Sequence, residues 1–335
     1  MSQERHKREP GNPPRFLILL AAMALTGGTG VAVWLLPAQA ELSPPPARPT
    51  AVTAAVVTPT PSPVVPERPS AFMAFVDTAR EPGLNLPATA RRTGLRWFTL
   101  GHLVAGRDGC SPRWGGQLDP ASNPVANKVG RLRAEGADAG LAFGGTAGRE
   151  LSAACTSPDA LAAAYRRAIA AFHATYVDFE IRDSADTATT LRRAAAIRTL
   201  QRESPLAVSF TLPIDGTGLA RADRDLLRLT REAGAEIGTV NLLAAIEPQA
   251  AGLARMRRLA TAVRTTERQL AEALGTADAW SRIALTSVLV SPDDLSQIDA
   301  RKLTTFAARH ELAWLSLRGA SPAREASEIL WRTRS

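Results

Sequence analysis

Between residues 71 and 332, eight strand-like segments are each followed by a helical pattern, and this alternation restricts the fold more than any other feature. The strand-like segments are Ala71 to Val76, Leu95 to Val104, Asp138 to Phe143, Thr175 to Ile181, Leu206 to Leu212, Glu236 to Ala244, Ile283 to Val290 and Leu312 to Leu317. The helical patterns are Asn85 to Arg92, Pro124 to Glu135, Pro158 to His173, Ala185 to Glu203, Gly218 to Glu232, Pro248 to Leu274, Leu295 to His310 and Pro322 to Arg332. Eight such units in one domain predict an α/β fold closed as a (β/α)8 TIM barrel rather than an open sheet. Arg-Ala-Glu-Gly-Ala-Asp at 133–138 and Arg-Glu-Ala-Gly-Ala-Glu at 231–236 read as helix exits with a glycine cap feeding a strand. No shorter repeat is visible.

The fourth strand carries the chemistry. From Ala174 to Asp183, Val177, Phe179 and Ile181 fall on one face and Asp178, Glu180 and Arg182 on the other. Parallel strands are usually covered on both faces, so a row of charges there is costly unless paired. Such a row marks either a functional site or a self-satisfied network of ion pairs.

The amino-terminal third of the expectation is about export. Arg5, Lys7, Arg8 and Arg15 precede an apolar run from Phe16 to Leu36, which ends in Pro-Ala-Gln-Ala at Ala40. Positive flank, apolar run and Ala-x-Ala ending make residues 1–40 a signal peptide or a retained signal anchor. Both readings predict a product that is secreted or membrane-anchored and faces the extracellular side. Residues 41–69, rich in Pro, Thr and Ala, cannot form a core and read as an extended linker. Residues 70–335 are then the barrel.

Charge and cysteine content narrow the partners. The formal net charge is +8, the lysines are only Lys7, Lys128 and Lys302, and no block of like charges resembles a nucleic-acid arm. No nucleic-acid partner is expected. Cys110 and Cys155 form no Cys-x-x-Cys pair and have no histidine cluster nearby, so neither metal nor cofactor is expected. Behind an export signal they read as one disulfide. Gly144-Gly145-Thr-Ala-Gly148 lacks the lysine and spacing of a phosphate loop.

Several local motifs, in order along the chain, resemble family 18 glycoside hydrolases, the chitinases. Cys110-Ser-Pro-Arg-Trp-Gly-Gly116 is similar to the Cys-Asn-Pro-Lys-Trp-Gly-Gly loop after the second strand of some bacterial members. Phe143-Gly-Gly145 is similar to the end of the third strand, Cys155 to Tyr165 to the helix that follows, and Val208 to Pro213 to the fifth strand. Asp178-Phe-Glu-Ile-Arg182 resembles the fourth-strand Asp-x-Asp-x-Glu motif. The resemblance implies substrate-assisted hydrolysis, in which the terminal glutamate protonates the glycosidic oxygen and the substrate's N-acetyl carbonyl attacks, held by the preceding aspartate. It also implies that Cys110 and Cys155 join the second and third loops.

On that resemblance Arg182 stands at the position of the acid and Glu180 at that of the second aspartate. A guanidinium has no proton to give a leaving group at neutral pH. Glu180 lies one inward position deeper, about 7 Å along the strand. Ala142 replaces a serine, Ile246 an aspartate, Ala245 a wall residue, and Arg318 the tryptophan floor of the sugar site.

The expectation is therefore a chitinase-like barrel that has lost hydrolysis, with no catalytic group assigned among Asp178, Glu180 and Arg182. Candidate mouth residues are Asp77, Trp114, Asp215, Asn241, Glu247 and Arg318. Its partner would be a polysaccharide, chitin or a peptidoglycan-like glycan, or an envelope protein, with the membrane reached through an uncleaved amino terminus. The alternatives are an active chitinase-type hydrolase with altered catalytic residues, and a structural or inhibitory barrel.

Overall fold

A computed structural model describes residues 71–332 except Leu253. The expected signal or anchor segment, 1–40, and the linker, 41–69, lie outside the described residues. Among the described residues no helix is long and apolar enough to cross a membrane.

Eight parallel strands close on themselves: β1 Ala71–Asp77, β2 Trp97–Ala105, β3 Asp138–Gly144, β4 Tyr176–Glu180, β5 Ala207–Asp215, β6 Thr239–Ala245, β7 Ile283–Leu289 and β8 Trp314–Gly319. Closure is the pairing of β1 with β2 on one side and with β8 on the other. The main helices after the strands are α1 Leu86–Thr93, α2 Val129–Ala134, α3 Pro158–Phe172, α4 Thr187–Glu203, α5 Arg221–Glu232, α6 Arg255–Leu274, α7 Gln297–Arg309 and α8 Arg324–Trp331. This is the (β/α)8 barrel read from the alternation.

Local chemistry explains where the helices start and stop. Asn85, Ser157 and Asp186 accept the N–H groups of Ala88, Ala160 and Ala188 at the starts of α1, α3 and α4. Ser296 and Asp299 form a reciprocal capping box on α7. The two glycine exits behave alike: Gly136 and Gly234 have φ of 75° and 82°, and the next N–H groups, of Ala137 and Ala235, reach back to the carbonyls of Leu132 and Thr230.

The core has two parts. Outward strand residues such as Phe143, Val177, Phe179 and Phe210 pack against the helices in one continuous cluster. Inside the barrel, at the amino-terminal ends of the strands, Met73, Trp97, Tyr176, Ala284 and Trp314 form a smaller plug. Tyr176 and Trp314 meet edge to face, with ring centroids 5.7 Å apart. The inward positions between plug and mouth are left to polar residues, so any site must sit at the carboxyl ends of the strands.

The disulfide expected from the cysteines is present. Cys110 and Cys155 are bonded with Cα atoms 4.8 Å apart, joining the loops after β2 and β3. The β2 loop also contributes a short antiparallel strand, Pro112–Trp114, paired to β2.

Candidate functional site at the barrel mouth

Strand β4 is held from its outer face by aromatic packing. Phe179 lies 5.6 Å from both Phe143 and Phe210 and 5.2 Å from Tyr165 of α3, centroid to centroid. With Val177 and Phe179 turned outward, Asp178 and Glu180 must point inward, at 2% and 1% exposure. The two carboxylates are treated very differently.

Asp178 sits within a one-way chain of hydroxyl and amide donors. Tyr176 OH lies 2.6 Å from Ser209 Oγ, and Ser209 donates to Asp178 Oδ1. Thr211 Oγ1 donates to the same carboxylate at 2.8 to 2.9 Å and accepts from Asn241 Nδ2 at 2.9 Å. Asn241 Oδ1 in turn accepts from Thr286 at 2.8 Å. Burial raises the Asp178 pKa to about 6, against the lowering effect of the Ser209 and Thr211 hydrogen bonds and the Arg318 charge.

Glu180 is clamped by cations. Its Oε1 accepts from Arg182 Nε at 3.1 Å and Nη2 at 2.6 Å, and its Oε2 lies 2.8 Å from His102 Nε2 and accepts from Arg318 Nη1. Burial opposes ionisation here too. The His102 hydrogen bond and the Arg318 charge outweigh it, and Glu180 is held well below the usual carboxylate range. Arg318 is itself seated over the Phe75 ring, 3.7 Å from its centroid. Its Nε is buried without a hydrogen-bond partner.

The surrounding loops shape this cluster. A Cβ at Gly145, where φ is 94°, would lie 2.6 Å from the His102 ring, so a glycine there lets the imidazole reach Glu180. Beneath the β3 loop, Glu150 accepts from Ser152 N at 3.0 Å, Tyr165 OH at 3.1 Å and Arg193 Nη2 at 3.1 Å. Burial works against ionisation of Glu150, but Arg193 and Ser152 hold its pKa low.

The residues singled out from sequence divide sharply. Asp178, Glu180, Arg182, Arg318 and Asn241 converge in the barrel interior and its mouth. Asp77 ends β1 at the rim, where it accepts the N–H groups of Ala79 and Arg80 at 3.1 and 3.2 Å. Asp215, the last residue of β5, accepts from Thr217 N and Oγ1 of the exposed turn that follows, both at 2.7 Å.

Two candidates are corrected. Trp114 is 1% exposed, packs edge-on against Phe172 of α3 at 5.9 Å, and offers no face to a sugar. Glu247 turns to Arg258 of α6, whose Nε lies 2.9 and 3.0 Å from its two oxygens, instead of entering the mouth cluster. Ile246 likewise belongs to the helix-facing core. His102 is the further residue that the structure brings into the cluster. It lies in the second half of β2, and nothing within the chain pattern pairs it with a glutamate 78 positions away.

As chemistry, the mouth offers anion-attracting donors. Arg182 is 38% exposed and Arg318 12%, both on one ionised glutamate. Among the described residues no group of three or more His, Cys, Asp or Glu side chains is placed to hold a metal ion.

Comparison with known proteins places this arrangement. No family model matches the sequence. A probable bifunctional chitinase/lysozyme of Escherichia coli K12 is 28% identical over 180 residues, which cover 51% of this chain and 20% of that protein. Endochitinase 11 of Metarhizium anisopliae is 26% identical over 181 residues, 51% of this chain and 34% of the relative. The active domain 2 of Pyrococcus furiosus chitinase, solved as catalytic-site mutants complexed with chito-oligosaccharides, superposes with a TM-score of 0.68. It is 25% identical, across 79% of this chain and 94% of that one. The barrel has chitinase homologues in both sequence and structure. The matched segments amount to about a fifth and a third of the two sequence relatives, so the likeness concerns the barrel and not those whole proteins.

Proposed function

We propose that this is an exported, chitinase-like barrel that does not hydrolyse chitin and acts by binding an anionic glycan, or an acidic protein surface, at the cell envelope. The observation that carries the reading is the Glu180 clamp. On the family resemblance, a protonated glutamate is needed at the position of Arg182. The carboxyl group two residues earlier, Glu180, is ionised and ion-paired to Arg182 and Arg318. General acid catalysis supplies roughly a hundred- to ten-thousandfold in rate, and neither group has a proton to supply it.

Of the two carboxyls in the mouth cluster, Asp178 is the one whose pKa is raised toward that of an acid catalyst, to about 6. It is 2% exposed and accepts from Ser209 and Thr211, so no glycosidic oxygen reaches it without dismantling that network. An altered but active hydrolase is therefore the weaker alternative.

The chitinase relatives support a polysaccharide partner, and the paired guanidiniums favour one bearing carboxylate, sulfate or phosphate. The test is twofold. Purified protein incubated with N-acetylglucosamine oligomers should release no product above buffer, and turnover at chitinase-like rates would overturn the reading. Binding to an acidic glycan should weaken with added salt and with Arg182→Ala. Equal binding to neutral chitin, indifferent to both, would count against an anion site.

A further inference from the structure

Outside the mouth, on the helical wall, α6 and α7 part to leave a groove of about 570 Å3. Its floor is apolar: Met256, Leu259 and Val263 from α6, Leu303 and Phe306 from α7, and Leu285 from the outward face of β7. Leu285 and Val263 at the bottom are almost fully covered, at 1% and 0% exposure, and the accessible apolar surface is that of the half-buried Leu259 and Phe306 above them. Ile298, 63% exposed, stands at its edge among the few large apolar side chains so exposed in the described part of the chain.

The rim is cationic. Arg257, Arg264, Arg301, Lys302 and Arg309 line the groove, and no acidic residue does. Lys302 has a partner only at 4.0 Å, in Asp299, while Arg264 lies over the Phe306 ring at 5.5 Å from its centroid. Among the described residues Arg257, Arg301 and Arg309 have no ion pair. Cations left unpaired around apolar surface are a charge match for one kind of ligand, an oily chain with an anionic head.

We infer that the α6–α7 groove is a binding site for a single-chain anionic amphiphile, an alkyl chain capped by carboxylate or phosphate. The groove runs beside about two turns of α6 and three of α7, the span of a medium-length alkyl chain. Each methylene buried there adds to the affinity, and the unpaired guanidiniums take the head. The chain's own apolar run, Phe16 to Leu36, is a poor occupant because Arg5, Lys7, Arg8 and Arg15 precede it and would meet like charge.

The test is calorimetric titration of the full chain with dodecanoate and with dodecyl phosphate, below their aggregation concentrations. Each variant is compared with the same full chain, so binding to the amino-terminal apolar run cancels. Saturable one-to-one binding is expected, weakened about tenfold by the double variant Arg301→Glu/Arg309→Glu, and weakened also by Ile298→Glu. These side chains are exposed, so the variants should fold, which circular dichroism confirms. The tighter of the two heads identifies carboxylate or phosphate as the natural one. Equal affinity for neutral dodecyl maltoside, affinity unchanged in both variants, or absence of saturable binding would overturn the assignment. So would occupation of the groove by an acidic amphipathic peptide with dodecanoate excluded.

Discussion

Replacing Glu180 by glutamine tests the clamp most directly, because it keeps the shape and removes the charge. The two guanidiniums, of Arg182 and Arg318, then face a neutral amide that can no longer balance them. Removing one partner of a buried ion pair costs roughly 3–5 kcal/mol when the remaining charge is trapped. Arg318, at 12% exposure and seated on Phe75, is trapped, whereas Arg182, at 38%, can turn to water. The expected loss for Glu180→Gln is therefore near the lower end, about 3 kcal/mol. Arg182→Met should cost about 1 kcal/mol, since the lost guanidinium is more than a third exposed and Glu180 keeps Arg318 and His102. Arg318→Met should fall between them, since Glu180 keeps Arg182 and His102. In the double variant Glu180→Gln/Arg318→Met no trapped charge remains, so the two losses should not add, with a coupling of about 2 kcal/mol. Urea unfolding of the wild type and the four variants measures this, with the slope checked for constancy. Additive losses, or an Arg182→Met cost equal to that of Glu180→Gln, would refute the account of Glu180 as a buried anion neutralised chiefly by Arg318.

Three further outcomes follow from the same geometry. Arg182→Glu should not restore chitin hydrolysis, because Arg318, at the position the resemblance gives to the tryptophan floor, still fills the mouth over Phe75 and leaves the sugar unheld; product release in an oligosaccharide assay would show otherwise. Asp178 has a folded pKa of about 6, above its unfolded value of about 3.9, so its stability contribution is complete below about pH 4 and is lost as pH rises through about 6. The stability of the wild type minus that of Asp178→Asn should accordingly fall by about 3 kcal/mol from pH 4 to 7, and a difference that rises with pH would contradict the sign. Replacing both Cys110 and Cys155 by serine opens a loop spanning 45 positions and should cost about 4 kcal/mol in the chain-entropy account, measured as the fall in unfolding free energy.

The barrel was legible in the sequence because each strand and helix announces itself locally. The exceptions lie where a side chain bends the backbone before a helix begins. The helical pattern from Pro124 starts as a helix only at Val129, because Asn123 accepts the N–H groups of Val125 and Ala126 and holds a turn there. The pattern from Pro248 becomes α6 only at Arg255, after a short turn at 249–251 and Gly252 at φ 84°. The inward placement of Asp178 and Glu180 was equally legible, since strand parity decides it. Partners were not. Glu247 is taken by Arg258 eleven positions on, Trp114 by Phe172, and Glu180 by groups 78 and 138 positions away. Those pairings depend on barrel closure, which no local pattern records.

What a ligand can do at the mouth follows from counting donors and acceptors. An ionised carboxylate has about four acceptor positions. Glu180 fills them with two nitrogens of Arg182, one of Arg318 and His102 Nε2. It is thus unable either to give a proton or to accept one from a sugar hydroxyl without losing a cation. Asp178, one layer deeper, is occupied in the same way by Ser209 and Thr211. The capacity left at the mouth is that of donors, chiefly the partly exposed Arg182, whose Nη1 makes no hydrogen bond among the described residues. A mouth with saturated acceptors and spare donors recognises groups that only accept. On the proposed function, a carboxylate, sulfate or phosphate on the ligand, rather than the hydroxyls of a neutral sugar, would determine what binds there.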